Sequence, residues 1–263
     1  MFSRLSRPKA AAVCALPVVA LLATAAFAPL PFAVAQPGLT ANVLGANKGT
    51  PVITISGAPI RTTTGQLRMT TIEATGPDAR VSLGDVVDGW VRTDRAVLPR
   101  DAVYPSGNTV KEIEQHNTAQ MKESQDAATQ AALRYLDLSD RNVKVTLTLA
   151  DVGGPSAGLL FTLGIIDKLK GNGSGGDLTG GRTIAGTGTI DAAGAVGAVG
   201  GVALKTQAAR RDGATVFLVP RAECADAKAE LPKGLRLVPV TTLNGAVDAL
   251  VALQKGKGAV PSC

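Results

Sequence analysis

The sequence predicts an α/β domain in its second half, preceded by an apolar N-terminal segment and a β-rich stretch. Three observations carry this expectation. Residues 10–28 contain no charged side chain. Residues 143–149 alternate strictly between apolar and polar, the period of a strand with one buried face. From Pro155 onward, helical and strand-like patterns take turns, with glycine-rich breaks between them.

The first segment divides into a basic flank, residues 1–9, and an apolar stretch, residues 10–35. Arg4, Arg7 and Lys9 precede nineteen uncharged residues, which as a helix would span roughly 28 Å, close to a bilayer core. The same stretch also reads as a signal peptide, because Ala33, Val34 and Ala35 form a small-residue cleavage pattern. Both readings leave the basic flank in the cytoplasm and the rest outside it. The expected location is therefore the cell membrane, with the domain on the extracytoplasmic side, or a secreted form cut after Ala35. Cys14 falls inside the run, while Cys224 and Cys263 fall on the exported side, where a disulfide persists if the two thiols meet. The alternative is two unpaired thiols.

Residues 36–108 read as a β-rich extension, with strand-like segments at 51–56 and 65–72 and a packing role for the single tryptophan, Trp90. The domain proper is expected over 109–255. It opens on a capping-box pattern, Thr109 with Glu112, followed by a helix to about Leu136. A second helix is expected from Pro155 to Lys170, a glycine-rich loop over 171–181, and a β stretch over 182–190. A further helix follows from Gly201 to Arg211. Strands over 215–219 and 235–240 and a last helix over 244–254 complete it, leaving a tail at 256–263.

Composition excludes several functions. Aromatics make up 3% of the chain, too few for a stacking platform that reads single-stranded nucleic acid. The net charge is +6, and without Arg4, Arg7 and Lys9 about +3 remains, with no dense basic run, so no nucleic-acid partner is expected. No His/Cys/Asp grouping has metal-ligand spacing, and neither metal nor cofactor is expected. The run Gly186, Thr187, Gly188, Thr189, Ile190, Asp191 fails as a dinucleotide fingerprint because Asp191 stands where the third glycine would be.

Chemistry concentrates in two places. Gly154, Pro155, Ser156, Ala157 and Gly158 fit a G-x-S-x-G pattern, in which small neighbours expose a serine at a helix entrance and backbone N–H groups face a developing oxyanion. A Ser-His-Asp arrangement of the α/β-hydrolase kind, and with it an esterase, is disfavoured, because the chain's single histidine, His116, lies upstream, where it reads as a solvated helix residue. The serine then needs another base, and a lysine serves if burial lowers its pKa. Lys205 fits, since its sequence neighbours are small or apolar and no carboxylate stands nearby in sequence. The competing Ser6–Lys9 pair has the S-x-x-K spacing but lies in the cytoplasmic flank and reads as coincidence.

Taken together and in order, these residues resemble the Lon-type Ser–Lys proteases. The resemblance runs from Met121 to Leu253: a helix opening at Met121–Ser124, the nucleophile segment Gly153–Gly158, then Ala185–Ile190, Val199–Gly201 and Lys205. Pro37 with Gly38, Val43–Gly45 and 65–72 further resemble bacterial membrane-anchored proteins that join a PDZ module to a Lon protease domain. The chain departs from them between Leu138 and Val143, where the PDZ module would stand. The ATPase module of cytoplasmic Lon proteins is missing too. The resemblance implies Ser156 as nucleophile, Lys205 as general base, Thr187 as a hydrogen-bonding support, and oxyanion donors from the backbone of Gly153, Gly154 and Ser156. Asp151 lies near the site without an assigned role. It also implies a cofactor-independent, ATP-independent endopeptidase acting on exported or envelope polypeptides, and a homo-oligomer. A non-catalytic Lon-fold scaffold at the membrane is the alternative.

Overall fold

The computed structural model describes residues 13, 15–21, 24, 28–104, 109–139, 141–149, 152–256 and 258–263. Ser6, Lys9, Cys14 and Asp151 lie outside the described residues. The chain divides into two compact units, one of residues 1–35 and 74–105, the other of residues 36–73 and 106–263.

The elements in chain order are β1 (Phe32–Asn42), β2 (Ala46–Asn47), β3 (Thr50–Pro51), β4 (Ile53–Ser56), β5 (Gln66–Ala74), α1 (Leu83–Val91), β6 (Ala96–Pro99), α2 (Arg100–Val103), α3 (Val110–Tyr135), β7 (Lys144–Leu147) and α4 (Gly158–Leu169). They continue with β8 (Thr183–Gly186), β9 (Thr189–Ile190), β10 (Val196–Gly197), α5 (Val202–Arg211), β11 (Val216–Pro220), α6 (Cys224–Ala229), β12 (Arg236–Val240) and α7 (Leu243–Lys255). The six-stranded mixed sheet has the order β12-β11-β8-β5-β1-β6. Its pairs β12–β11, β11–β8 and β8–β5 are parallel.

In the larger unit, α4 is the centre of the core. Leu159, Leu160, Phe161, Leu163, Ile165 and Ile166 are all fully buried, each stabilising the fold by roughly 1.5–3 kcal/mol relative to exposure. Ala128, Ala131 and Ala132 of α3 belong to the same apolar cluster, and their small side chains let the two helices approach closely. At Gly164 a Cβ would stand 2.6 Å from Ile53 Cδ1, so a larger residue there would force the Ile53 side chain to shift. A second apolar cluster joins Val202 and Ala209 of α5 to Phe217 and Val219 of β11, Ala227 of α6 and Leu237 of β12.

The capping box at Thr109 forms as expected, the hydroxyl accepting from the Glu112 N–H while the Glu112 carboxylate accepts from the Thr109 N–H. Helix α4 starts three residues later than the sequence suggests: Pro155 precedes it, and residues 154–157 form turns instead. Cys224 and Cys263 are joined in a disulfide with a Cα–Cα distance of 5.4 Å. His116 is exposed on α3, as expected.

In the smaller unit, the first four residues of β1 pair with β6 in antiparallel register, Phe32 opposite Pro99 and Ala35 opposite Ala96. The strand thus begins inside the stretch assigned to the apolar N-terminal segment, and Ala33, Val34 and Ala35 are buried. Trp90, expected to pack inside, is exposed on α1, a helix in a region read from sequence as β-rich. Among the described residues no helix is long and apolar enough to cross a membrane.

One buried group is left with an uncompensated atom. Asp167 on α4 is fully buried, its Oδ1 accepts from the Leu178 N–H at 2.7 Å, and among the described residues its Oδ2 has no partner. Burial raises its pKa to about 6, while the Leu178 hydrogen bond works in the opposite direction. The native state therefore holds this proton more tightly than the unfolded chain, whose carboxyl titrates near 3.8, and stability falls as pH rises through that interval. In urea titrations, Asp167→Asn is expected to gain on the wild type by up to about 3 kcal/mol between pH 4 and 7, and to gain nothing further above it. A pH-independent difference between the two proteins would overturn this.

Candidate active site

Ser156 lies in the tight segment that leads into α4, two residues before Gly158, where the first N–H groups of a helix lack intrahelical partners and carry the positive end of its dipole. Two elements hold the segment by its backbone. The Gly154 N–H donates to the Asn117 carbonyl of α3 at 3.0 Å. The Ser124 hydroxyl, on the buried face of α3, donates to the Pro155 carbonyl at 3.0 Å. From the turn between β8 and β9, the Gly188 N–H donates to the Ser156 carbonyl at 3.0 Å.

Glycine is required at two points here and favoured at a third. Gly154 has φ +87°, a conformation L side chains rarely adopt. At Gly153 a Cβ would stand 2.6 Å from Asn117 Cβ, and at Gly158 it would stand 3.0 Å from Ser124 Oγ and 3.2 Å from the Ile190 nitrogen. The sequence motif therefore reflects close backbone approach as much as exposure of the serine. The engagement of the Gly154 N–H with Asn117 also removes it from the oxyanion donors expected at this segment.

Lys205 approaches from α5, whose start is the left-handed Gly201 with φ +69°. Its side chain is buried, and its Nζ donates to Thr187 Oγ1 at 3.2 Å. Thr187, also fully buried, in turn donates to the Ser156 carbonyl at 3.4 Å. Thr187 thus connects the lysine to the serine segment, and three of the residues singled out in the sequence meet through hydrogen bonds. Burial pushes the Lys205 ammonium down from 10.5 to about 8, against the opposing pull of Glu223 and Asp226.

Those two acids correct one expectation. No carboxylate stands near Lys205 in sequence, yet Glu223 and Asp226 are brought to it by the chain after β11. Asp226 also caps α5: its Oδ2 accepts from the N–H groups of Val202 at 2.9 Å and Ala203 at 3.3 Å. Ser124, Asn117 and Asp226 were not identified from sequence as site residues. The position of Ser124 on the same helical face as Ala128, Ala131 and Ala132 is the one signal available for any of them.

Beside the serine segment runs a groove of about 900 Å³ between α3 and the strand β7, reaching Gly153. Asn117, Met121, Lys122, Leu147, Leu149 and Val152 line it, a mixture of apolar and polar groups. Among the described residues no group of three or more His, Cys, Asp or Glu side chains is arranged to hold a metal ion.

The buried amine carries a stability cost that can be measured apart from any reaction. Between pH 8 and 10.5 the unfolded chain binds more protons at this lysine than the native state, so wild-type stability rises with pH through that window. Lys205→Met is expected to be more stable than the wild type at pH 7, by up to about 3 kcal/mol. The gain should shrink towards pH 10.5, the ordinary value for the group. Calorimetry across this range checks it, and a destabilised variant at pH 7 would show that the hydrogen bond to Thr187 outweighs desolvation.

No curated protein matches this chain. Residues 105–252 match the family model of the Lon protease (S16) C-terminal proteolytic domain. That span contains the serine segment, Thr187 and Lys205, and covers more than half of the sequence. The chain belongs to the Lon (S16) family and carries its proteolytic domain, that of a serine-type peptidase.

Proposed function

We propose that the chain is an ATP-independent endopeptidase in which Ser156 is the nucleophile and Lys205 the general base. The observation that carries this reading is the buried Lys205 amine, joined through Thr187 to the Ser156 carbonyl and lowered in pKa by desolvation. In the first step Ser156 Oγ attacks the scissile carbonyl while neutral Lys205 takes the hydroxyl proton. Collapse of the tetrahedral intermediate breaks the C–N bond, and Lys205 returns the proton to the departing amine. Water, deprotonated by the same lysine, then attacks the acyl-enzyme and releases the carboxyl product with free Ser156. The helix start at Gly158 favours the negative charge on the intermediate's oxygen. The groove between α3 and β7 suits an extended polypeptide, with Lys122 and apolar Met121, Leu147 and Val152 offered to its side chains.

The same reading puts the domain outside the cytoplasm, on a membrane anchor formed by the N-terminal run. The Cys224–Cys263 disulfide supports an oxidising compartment. Burial of Ala33–Ala35 and their pairing with β6 support retention over cleavage after Ala35, since a cut there would sever β1. Flexible or unfolded envelope polypeptides are the expected substrates.

The test uses the full chain in detergent with an unfolded protein as substrate and no nucleotide, with fragments read by mass spectrometry. The wild type is expected to cut, with Ser156→Ala and Lys205→Ala both reduced by about 10³-fold or more. Equal cutting by all three folded proteins would overturn the dyad, and no cutting by any would favour a non-catalytic scaffold.

The pH profile tests the base. The neutral amine is the active form, so kcat/KM should rise with pH through a limb near 8. The charged groups acting on Lys205 are Glu223 and Asp226, while β8 and β11, which pack against α5, contribute no ionisable residue. Asp226→Asn keeps an oxygen to cap α5 but removes a negative charge that favours the ammonium. Its limb is expected to move to lower pH with KM little changed, and an unmoved limb would remove Asp226 from the electrostatics of the base.

A further inference from the structure

Helix α1 of the smaller unit presents three distinct faces. Val86 and Gly89 are turned inward, where Val86 clusters with Val34 and Val81, and a Cβ on Gly89 would stand 2.6 Å from Val97 Cγ2. Asp85 and Asp88 occupy a second face, the first capped by Ser82 and the second paired with Arg95 at 2.7 Å. The third face is apolar and exposed: Leu83 at 42%, Val87 at 47%, Trp90 at 73% and Val91 at 79%. At 100° per residue these four positions form one stripe about 100° wide, and the small core under α1 makes no use of them.

What covers this stripe is indicated by the chain that enters the unit. Ala28 closes a helical hydrogen bond to Thr24 at 2.8 Å, and only Pro29 separates it from Leu30. The Leu30 N–H donates to the Val81 carbonyl at 2.8 Å, and Val81 immediately precedes Ser82, the cap of α1. Two residues of extended chain reach about 7 Å, so the start of α1 is tethered within roughly 10 Å of the end of the apolar run. The nine residues of α1 extend about 13 Å, so the whole helix stays close to the point where the run leaves the chain. Tryptophan is the residue that favours the membrane–water boundary, and Arg80 stands exposed just before the helix, where its side chain suits anionic headgroups, while Arg92 at the other end is paired with Asp94 at 2.8 Å.

We infer that the outer face of α1 contacts the bilayer, with Leu83, Val87, Trp90 and Val91 seated in the interfacial layer of the membrane that the N-terminal run enters. The inference rests on the proposed membrane anchor. It adds a second, lateral attachment that fixes how the smaller unit lies on the lipid surface, with the Asp85 and Asp88 face turned to water.

The chain contains one tryptophan, so its fluorescence reports on this face alone. The full chain is reconstituted into vesicles of phosphatidylcholine and phosphatidylglycerol, with and without lipids brominated near the headgroup end of their chains. Blue-shifted emission and about twofold quenching by the brominated lipid are expected for a ring at interfacial depth. Leu83→Ser, Val87→Ser and Val91→Ser combined, with helicity checked by circular dichroism, should abolish the quenching. A chain that withstands alkaline carbonate extraction while Trp90 stays unquenched and open to acrylamide would overturn the inference and leave the anchor standing. Loss of the chain on extraction would overturn the anchor, and the inference with it. A blue shift that grows with protein concentration without quenching by lipid would assign the stripe to a second copy instead.

Discussion

The arrangement of the larger unit depends on keeping one amine out of water. An ammonium ion loses strong hydration on burial, and nothing around Lys205 restores more than part of it. Among the described residues its hydrogen-bond partner is the neutral Thr187 hydroxyl, and the two carboxylates that favour its charge are Glu223, in the turn before α6, and Asp226, on α6. That balance leaves the amine near the point where it gains and loses a proton in neutral to mildly alkaline solution. Stronger pairing with an acid would hold the ammonium permanently charged and useless as a base. Complete isolation would cost more stability than a domain of this size readily supplies.

The serine segment answers the same constraint from the other side. Its peptide groups are spent on α3 and on the β8–β9 turn, so the segment has little freedom to move relative to Thr187. The parallel order β5–β8–β11 brings the turn after β8 and the helix after it to one end of the sheet, a common location for sites in parallel α/β sheets. Thr187 is the junction because it directly follows the last residue of β8 and so inherits the position of a central strand. The rigidity of the connection comes from the sheet, and the reactive groups are hung at one end of its strands.

Much of this was legible in the sequence, and the limits are instructive. The capping box at Thr109, the alternation over 143–149 and the glycine breaks are local patterns, and each element appears where its pattern lies. Ser156 and Lys205 are legible because small residues cluster around them in sequence, and Thr187 is implied by the resemblance of its segment to the Lon-type proteases. Contacts between distant segments left no such mark: Glu223 and Asp226 reach Lys205 only because β11 runs beside β8. Trp90 misled for a related reason. A lone large aromatic reads as core, and its exposure follows from the tight cap at Ser82 and from Gly89, which together turn that face outward. The start of β1 was hidden because buried alanines in a strand and small residues at a cleavage site have the same composition.

The disulfide joins these threads. A helix of six residues such as α6 is not stable in isolation, yet it carries Asp226, whose carboxylate caps the helix that carries Lys205. Cys224, at its first position, is bonded to Cys263 across 39 residues, and Lys228 donates to the Cys263 carbonyl from the same helix. In the chain-entropy account, closing a loop of that length removes about 4 kcal/mol of freedom from the unfolded chain. Part of that stabilisation acts on a short element that cannot hold itself. The last residue of the sequence is thereby linked, through one covalent bond, one short helix and one cap, to the helix that presents the buried amine. Cys263, far from the site in sequence, thus helps to set the electrostatic surroundings of Lys205.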